Sequence, residues 1–179
     1  MLDEIIFAGF GGQGVLLMGR LIAQAGMLEG KQVVWMPSYG PEMRGGTANC
    51  TVIVSSEEVA SPVVPNPITL IAMNQPSLDK FEPMVLKNGI IIINKSLVSR
   101  DINRDDVEVV KVPANDIANE LGNLRVANMV ALGSYIAKSK SVMMETVFEV
   151  LDQILDRRQE KLITLNKEAL KRGEKIVTG

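Results

Sequence analysis

Gly89-Ile90-Ile91-Ile92-Ile93-Asn94 holds four consecutive isoleucines, and it constrains the fold more than any other segment of the chain. Side chains of a strand point alternately to its two faces, so an unbroken β-branched run fits only a strand covered on both sides. A parallel sheet with helices above and below meets that requirement, and the remaining sequence supplies its parts. Glu4 to Gly9 reads as a short buried strand. Val15 to Glu29 reads as a helix closed by Gly30. Gln32 to Met36 is a second strand, stopped by Pro37, and Thr47 to Ser55 alternates into a third. Three prolines between Ser61 and Pro67 keep that stretch extended or looped. Ile68 to Met73 is a further buried strand, Ser77 to Lys87 a short helix, and Val107 to Val112 the last strand. In the C-terminal third, Met143, Val147, Val150, Leu151 and Ile154 recur as one face of a helix. Arg157 to Lys175 follows as a partly solvated helix. Strands alternating with helices over 179 residues predict one α/β domain spanning 1–179, with an open, mostly parallel sheet and helices on both faces.

Composition removes several kinds of chemistry. There is no histidine, so His-based acid–base work, Ser-His-Asp and Cys-His nucleophiles and most zinc sites drop out. The single cysteine, Cys50, excludes an internal disulfide and any iron–sulfur cluster held by this chain alone. Its apparent strand setting, with no adjacent basic residue, reads as an inert buried thiol. A formal charge of −2 gives no basic patch for a nucleic acid. No apolar run approaches the ~18 residues of a membrane span, and the acidic Met1-Leu2-Asp3-Glu4 lacks a signal peptide's basic segment. The expectation is a cytoplasmic protein with no nucleic-acid or membrane partner and no catalytic or metal-binding residue of its own.

Gly9-Phe10-Gly11-Gly12-Gln13-Gly14 has the spacing G-x-G-x-x-G, with a strand before it and a helix after it, and this makes the domain Rossmann-like. Glycines permit a sharp turn and a close ligand approach, while free N–H groups at the helix start favour an anion. Two readings stay open: an anion-accommodating loop, or close packing of helix on sheet. A dinucleotide site also wants an acid near the end of the second strand, for the ribose hydroxyls. Val33-Val34-Trp35-Met36-Pro37 offers none, which argues against NAD(P).

The segment Ser38 to Cys50 contains a second cluster, Tyr39-Gly40-Pro41-Glu42-Met43-Arg44-Gly45-Gly46. It leaves the carboxyl end of the second strand, the edge where open α/β sheets place ligands. Arg44 before two glycines can reach a phosphate or carboxylate, with Glu42 as its partner, or can simply be a solvated turn residue.

Together, Gly9–Gly14 and Tyr39–Gly46 resemble the gamma subunit of the 2-oxoacid:ferredoxin oxidoreductases, the pyruvate/ketoisovalerate oxidoreductase gamma domain family. Met73-Asn74-Gln75-Pro76, the Ile90–Asn94 strand and the run from Asn123 to Gly133 extend the resemblance over nearly the whole chain. The loop looks most like the 2-oxoglutarate branch, then the branched-chain branch, and it lacks the His and Gln of the indolepyruvate branch. The resemblance implies a hetero-oligomeric enzyme that converts a 2-oxoacid, coenzyme A and oxidised ferredoxin into an acyl-CoA, CO2 and reduced ferredoxin. It also implies that thiamine diphosphate, Mg and 4Fe-4S clusters sit on alpha, beta and ferredoxin-like delta partners. This chain contains no Gly-Asp-Gly segment for a thiamine diphosphate metal. What it implies here is a scaffold with a role in CoA access. Gly9, Gly11, Gly12, Gln13, Gly14, Arg44, Gly45 and Gly46 are candidate neighbours of the CoA phosphates. Tyr39, Glu42 and Met43 are candidate interface residues. The competing expectation is a stand-alone nucleotide-binding Rossmann-like protein.

Two amides remain open in the sequence. Gln13 either donates to a ligand oxygen or caps its own loop. Asn128, in an apolar helical run, needs a partner if buried, whether a neighbouring loop or a ligand.

Overall fold

A computed structural model of the chain describes residues 1–39, 46–155 and 159–179, with only the backbone of Tyr39. Six strands form one sheet: β1 Leu2–Phe10, β2 Gln32–Tyr39, β3 Thr47–Ser55, β4 Thr69–Ala72, β5 Ile90–Asn94 and β6 Glu108–Val112, in the order β2-β3-β1-β4-β5-β6. β4 and β5 pair parallel with their neighbours, while β3 lies antiparallel between β1 and β2. Five strands therefore run one way and β3 alone is reversed. The α/β domain with a mostly parallel sheet, expected from the sequence, is what forms.

The four-isoleucine run is β5, flanked by β4 and β6, and Ile91, Ile92 and Ile93 are fully buried. Its alternation splits the core in two. Ile92 joins Ile5, Phe7, Val52 and Ile71 on one face; Ile91 and Ile93 join Ile6, Ala8, Leu70 and Ala72 on the other. Helices cover both faces, but unequally. The first takes residues from α1 Val15–Leu28, α3 Ala114–Glu120, α4 Ala127–Ser139, α5 Met144–Ile154 and α6 Glu160–Thr178. The second is covered by α2 Gln75–Phe81, through Leu78 and Phe81, and by Val85 and Val98 of the following loops.

Two local expectations need correction. β2 runs through Pro37 to Tyr39. Proline is tolerated because β2 is an edge strand, where a missing N–H costs no ladder bond. The helix read over Ser77 to Lys87 starts earlier, at Gln75, because the Asn74 side chain caps it by accepting the Ser77 N–H at 2.9 Å. It also ends earlier, passing into a 3₁₀ turn at Glu82–Met84 that contains Pro83.

Candidate functional site

β1 leaves the sheet beside β3 and β4, neighbours reached in opposite directions along the sheet. This is the topological switch at whose carboxyl edge α/β folds open a crevice. The glycine loop occupies that edge. Phe10 to Gln13 closes as a turn, with the Gln13 N–H on the Phe10 carbonyl at 3.0 Å. Gly14 then adopts φ 72° as the N-cap of α1. A Cβ at Gly14 would collide with the amide of Asn128, so close approach and left-handed backbone coincide at one residue.

The side chain of Gln13 braces this turn. Its Oε1 accepts the Phe10 N–H and the Asn74 amide, each at 2.7 Å, and its Nε2 donates to the Met73 carbonyl at 3.3 Å. Met73 O also accepts from Asn94 Nδ2 at 3.3 Å, and that nitrogen donates to Asn115 Oδ1 at 2.8 Å. An amide chain thus runs from the glycine turn across the ends of β4 and β5 to α3. Asn94 Oδ1 is buried without a hydrogen-bond partner among the described residues. Asn128 binds the loop as well, donating to the Gly14 carbonyl at 3.3 Å. Asn74 and Asn94 stand in sequence segments that carry the resemblance, with no part in the site assigned to either. The available signal was their position, each an asparagine where a buried strand ends.

The second glycine cluster arrives at the same edge. β2 points the same way as β1 because β3 reverses between them, and the Gly11 N–H donates to the Gly46 carbonyl at 2.9 Å. Of that cluster, Glu42, Met43, Arg44 and Gly45 lie outside the described residues, as does the side chain of Tyr39. Gly46 is the member placed beside the Gly9–Gly14 loop.

A cavity of about 210 Å³ opens at the switch, lined by Gly12, Gln13, Met73, Leu124, Arg125, Ala127 and Asn128. α1 and α4 both begin there. Neither has a side-chain cap, and neither carries an acid in its first turn. The other helices do compensate. Asn74 caps α2, and α3, α5 and α6 place Asp116, Glu145 and Glu160 in their first turns. At α4 the Asn128 Oδ1 accepts the Met129 N–H at 2.9 Å and the Asn123-capped 3₁₀ turn Leu124–Val126 leads into the helix, so the start of α1 is the one left without compensation among these described helices.

Cys50 is fully buried behind α1, and burial pushes its thiol up to about 12 despite hydrogen bonds involving Trp35 and Gly19. It is a packed thiol. Among the described residues no group of three or more Cys, Asp or Glu is placed to hold a metal, and no helix is long and apolar enough to cross a membrane.

The fold defines an α/β domain with a crevice at its switch, and β3 sets it apart from dinucleotide-binding folds. In those, the strand carrying the ribose acid lies next to β1; here β3 intervenes. The chain belongs to the pyruvate ferredoxin/flavodoxin oxidoreductase family, whose model matches residues 4–176. It is 43% identical to ketoisovalerate oxidoreductase subunit VorA of Methanothermobacter thermautotrophicus, over 95% of this chain and 35% of VorA. It therefore spans about a third of the length of the VorA proteins it matches. It is 35% identical to 2-oxoglutarate synthase subunit KorC of Methanocaldococcus jannaschii, over 90% of this chain and 88% of KorC. The crystal structure of the keto/oxoacid ferredoxin oxidoreductase gamma subunit from Geobacter sulfurreducens superposes with a TM-score of 0.84 at 29% identity, covering 98% of each chain.

Proposed function

We propose that this chain is the gamma subunit of a cytoplasmic 2-oxoacid:ferredoxin oxidoreductase, with 2-oxoglutarate as the substrate of the assembled enzyme. The observation that carries the reading is the breadth of the match: 98% of the chain superposes on 98% of the Geobacter sulfurreducens gamma subunit chain. The reaction consumes 2-oxoacid, coenzyme A and oxidised ferredoxin, and yields acyl-CoA, CO2 and reduced ferredoxin. Partner alpha, beta and ferredoxin-like delta subunits carry thiamine diphosphate with Mg, and the 4Fe-4S clusters. Thiamine supplies the electron sink for decarboxylation. One cysteine is too few for a four-thiolate cluster here.

The chain's own contribution is a rigid edge for coenzyme A. Gly9, Gly11, Gly12 and Gly14 shape the turn, Gln13 braces it, and Gly46 joins it to the loop that holds Arg44 and Gly45. The N-terminus of α1, with no side-chain cap and no acid in its first turn, supports placing CoA phosphates at this edge. Tyr39, Glu42 and Met43 face a partner subunit in this reading. A branched-chain 2-oxoacid is the second reading of substrate, favoured by the 43% identity to the ketoisovalerate subunit. A stand-alone nucleotide-binding protein fits less well, because β3 separates β2 from the glycine loop.

The test is affinity capture of the tagged chain from its native host. Thiamine- and cluster-bearing subunits are expected to copurify, and the complex to reduce ferredoxin faster with 2-oxoglutarate than with 2-oxoisovalerate. Recovery of a lone monomer, with oxidoreductase activity intact in a deletion strain, refutes the assignment. The reverse substrate preference replaces 2-oxoglutarate by the branched-chain acid.

A further inference from the structure

On its second face the sheet is only half covered. α1 packs on β2 and β3 from the first face, where a Cβ on Gly19 would meet Cys50 and Trp35 and one on Gly26 would meet Val33. Strand alternation therefore turns Val34 and Met36 to the second face. Beside them lies Ile53 of β3, in register with Val34 on one side and with Glu4 of β1 on the other. The core of that face takes residues from β1, β4 and β5 and none from β2 or β3. Met36 is 43% exposed and Leu2 52%. A cleft of about 350 Å³ opens at the amino end of β1, lined by Leu2, Glu4 and Ile53 and by the following loop with Glu57, Glu58 and Val59. The lining holds three carboxylates and no Lys or Arg. None of the three is in an ion pair among the described residues. The positive group at this end, the Met1 amine, donates to Ser56 Oγ at 2.6 Å.

We propose that this open half-face docks an amphipathic helix of a partner subunit, its apolar side on Leu2, Val34 and Met36 and its Lys or Arg side chains against Glu4, Glu57 and Glu58. A helix about 10 Å across fits over two strands about 4.8 Å apart, and it completes the helical layer that α2 leaves unfinished. Carboxylates without a counter-cation select a basic segment, because like charges opposed across an interface repel. A second copy docked two-fold through the same face would set acid against acid. This rests on the reading of the chain as one subunit of a larger enzyme, and adds where a partner sits.

Carbodiimide chemistry on the affinity-captured complex, read by peptide mass spectrometry, tests it. With glycine ethyl ester as the capping amine, Glu57 and Glu58 should be labelled in the full chain alone and protected in the complex. Without that amine they should form zero-length links to a Lys of another subunit, in a segment with apolar residues at helical spacing. The double variant Glu57→Lys/Glu58→Lys should melt like the parent, because both side chains are exposed. At low salt it should bind the remaining subunits about tenfold or more weakly, and the loss should shrink as salt is raised. Met36→Ser should weaken binding at low and high salt alike, since its contribution is apolar. Equal labelling of the lone chain and the complex, equal affinity of parent and double variant, protection without a lysine link, or links only to a second copy of this chain overturns the docking helix. If other subunits copurify and one of these results is found, the subunit reading stands and the helix alone falls. If no other subunit copurifies, both fall.

Discussion

Tyr135 donates its phenolic hydrogen to Asp3 Oδ2 at 2.8 Å, joining the start of β1 to α4 across 132 residues inside the protein. Thr69 donates to the other carboxylate oxygen at 2.9 Å, and among the described residues no cation is paired with Asp3. Burial raises the Asp3 pKa above its ordinary 3.8, against hydrogen bonds from Tyr135, Thr69 and Ser141 that lower it.

The sign of the pH effect follows from that direction. With a folded-state pKa above the unfolded one, the contribution of Asp3 is fully present below about 3.8 and is lost as pH rises through the folded value. Asp3→Asn removes this loss. Urea unfolding of parent and variant should show the variant gaining on the parent as pH rises above about 4, until the folded-state value is passed and the difference levels off. A constant difference between them contradicts the assignment. Tyr135→Phe, which leaves the carboxylate one donor short, should cost about 1–3 kcal/mol at neutral pH.

Gly14→Ala combines an unfavourable left-handed backbone, costing about 1–2 kcal/mol, with a collision against the Asn128 amide. The loss should exceed the backbone cost alone. Asn128→Ala removes the group that is struck, so the double variant should recover part of the loss. A double-mutant cycle on unfolding free energies measures the coupling, and additivity would show that the two residues do not meet.

α4 and α6 touch backbone to backbone through two glycines. A Cβ on Gly133 would enter the Leu170 carbonyl, and one on Gly173 would enter the Val130 carbonyl. Ser134 Oγ donates to the Gly173 carbonyl at 2.8 Å across the same contact. Gly133→Ala must push the helices apart, with an expected cost of about 3 kcal/mol, read as a lowered melting temperature. Unchanged melting would mean that the helices are not seated this closely.

Cys50 should resist iodoacetamide at about pH 8 in the folded protein, because burial both shields the thiol and disfavours its thiolate. Mass spectrometry after timed exposure should show labelling only when denaturant unfolds the chain. Rapid modification of native protein would place Cys50 at the surface.

Much of the architecture was legible because it is written in local periodicity. The isoleucine run announced a strand covered on both faces, and Gly9 to Gly14 announced a strand–turn–helix. What stayed hidden depends on partners distant in sequence. Thr47 to Ser55 alternates like any strand, and nothing in it says that it enters between β1 and β2 in reverse. Pro37 read as a terminator because its tolerance depends on lying at an edge. Arg125 lies 113 positions beyond Gly12 and reaches the same cavity only through the sheet order. No short-range pattern marks it, whereas Gln13, within the glycine motif, was visible as a candidate and its bracing role was not.

The link between Gly11 and Gly46 involves main-chain atoms alone. A tether of that kind is indifferent to the side chains carried by β1 and β3, so a substitution along either strand leaves the glycine turn fastened to the start of β3.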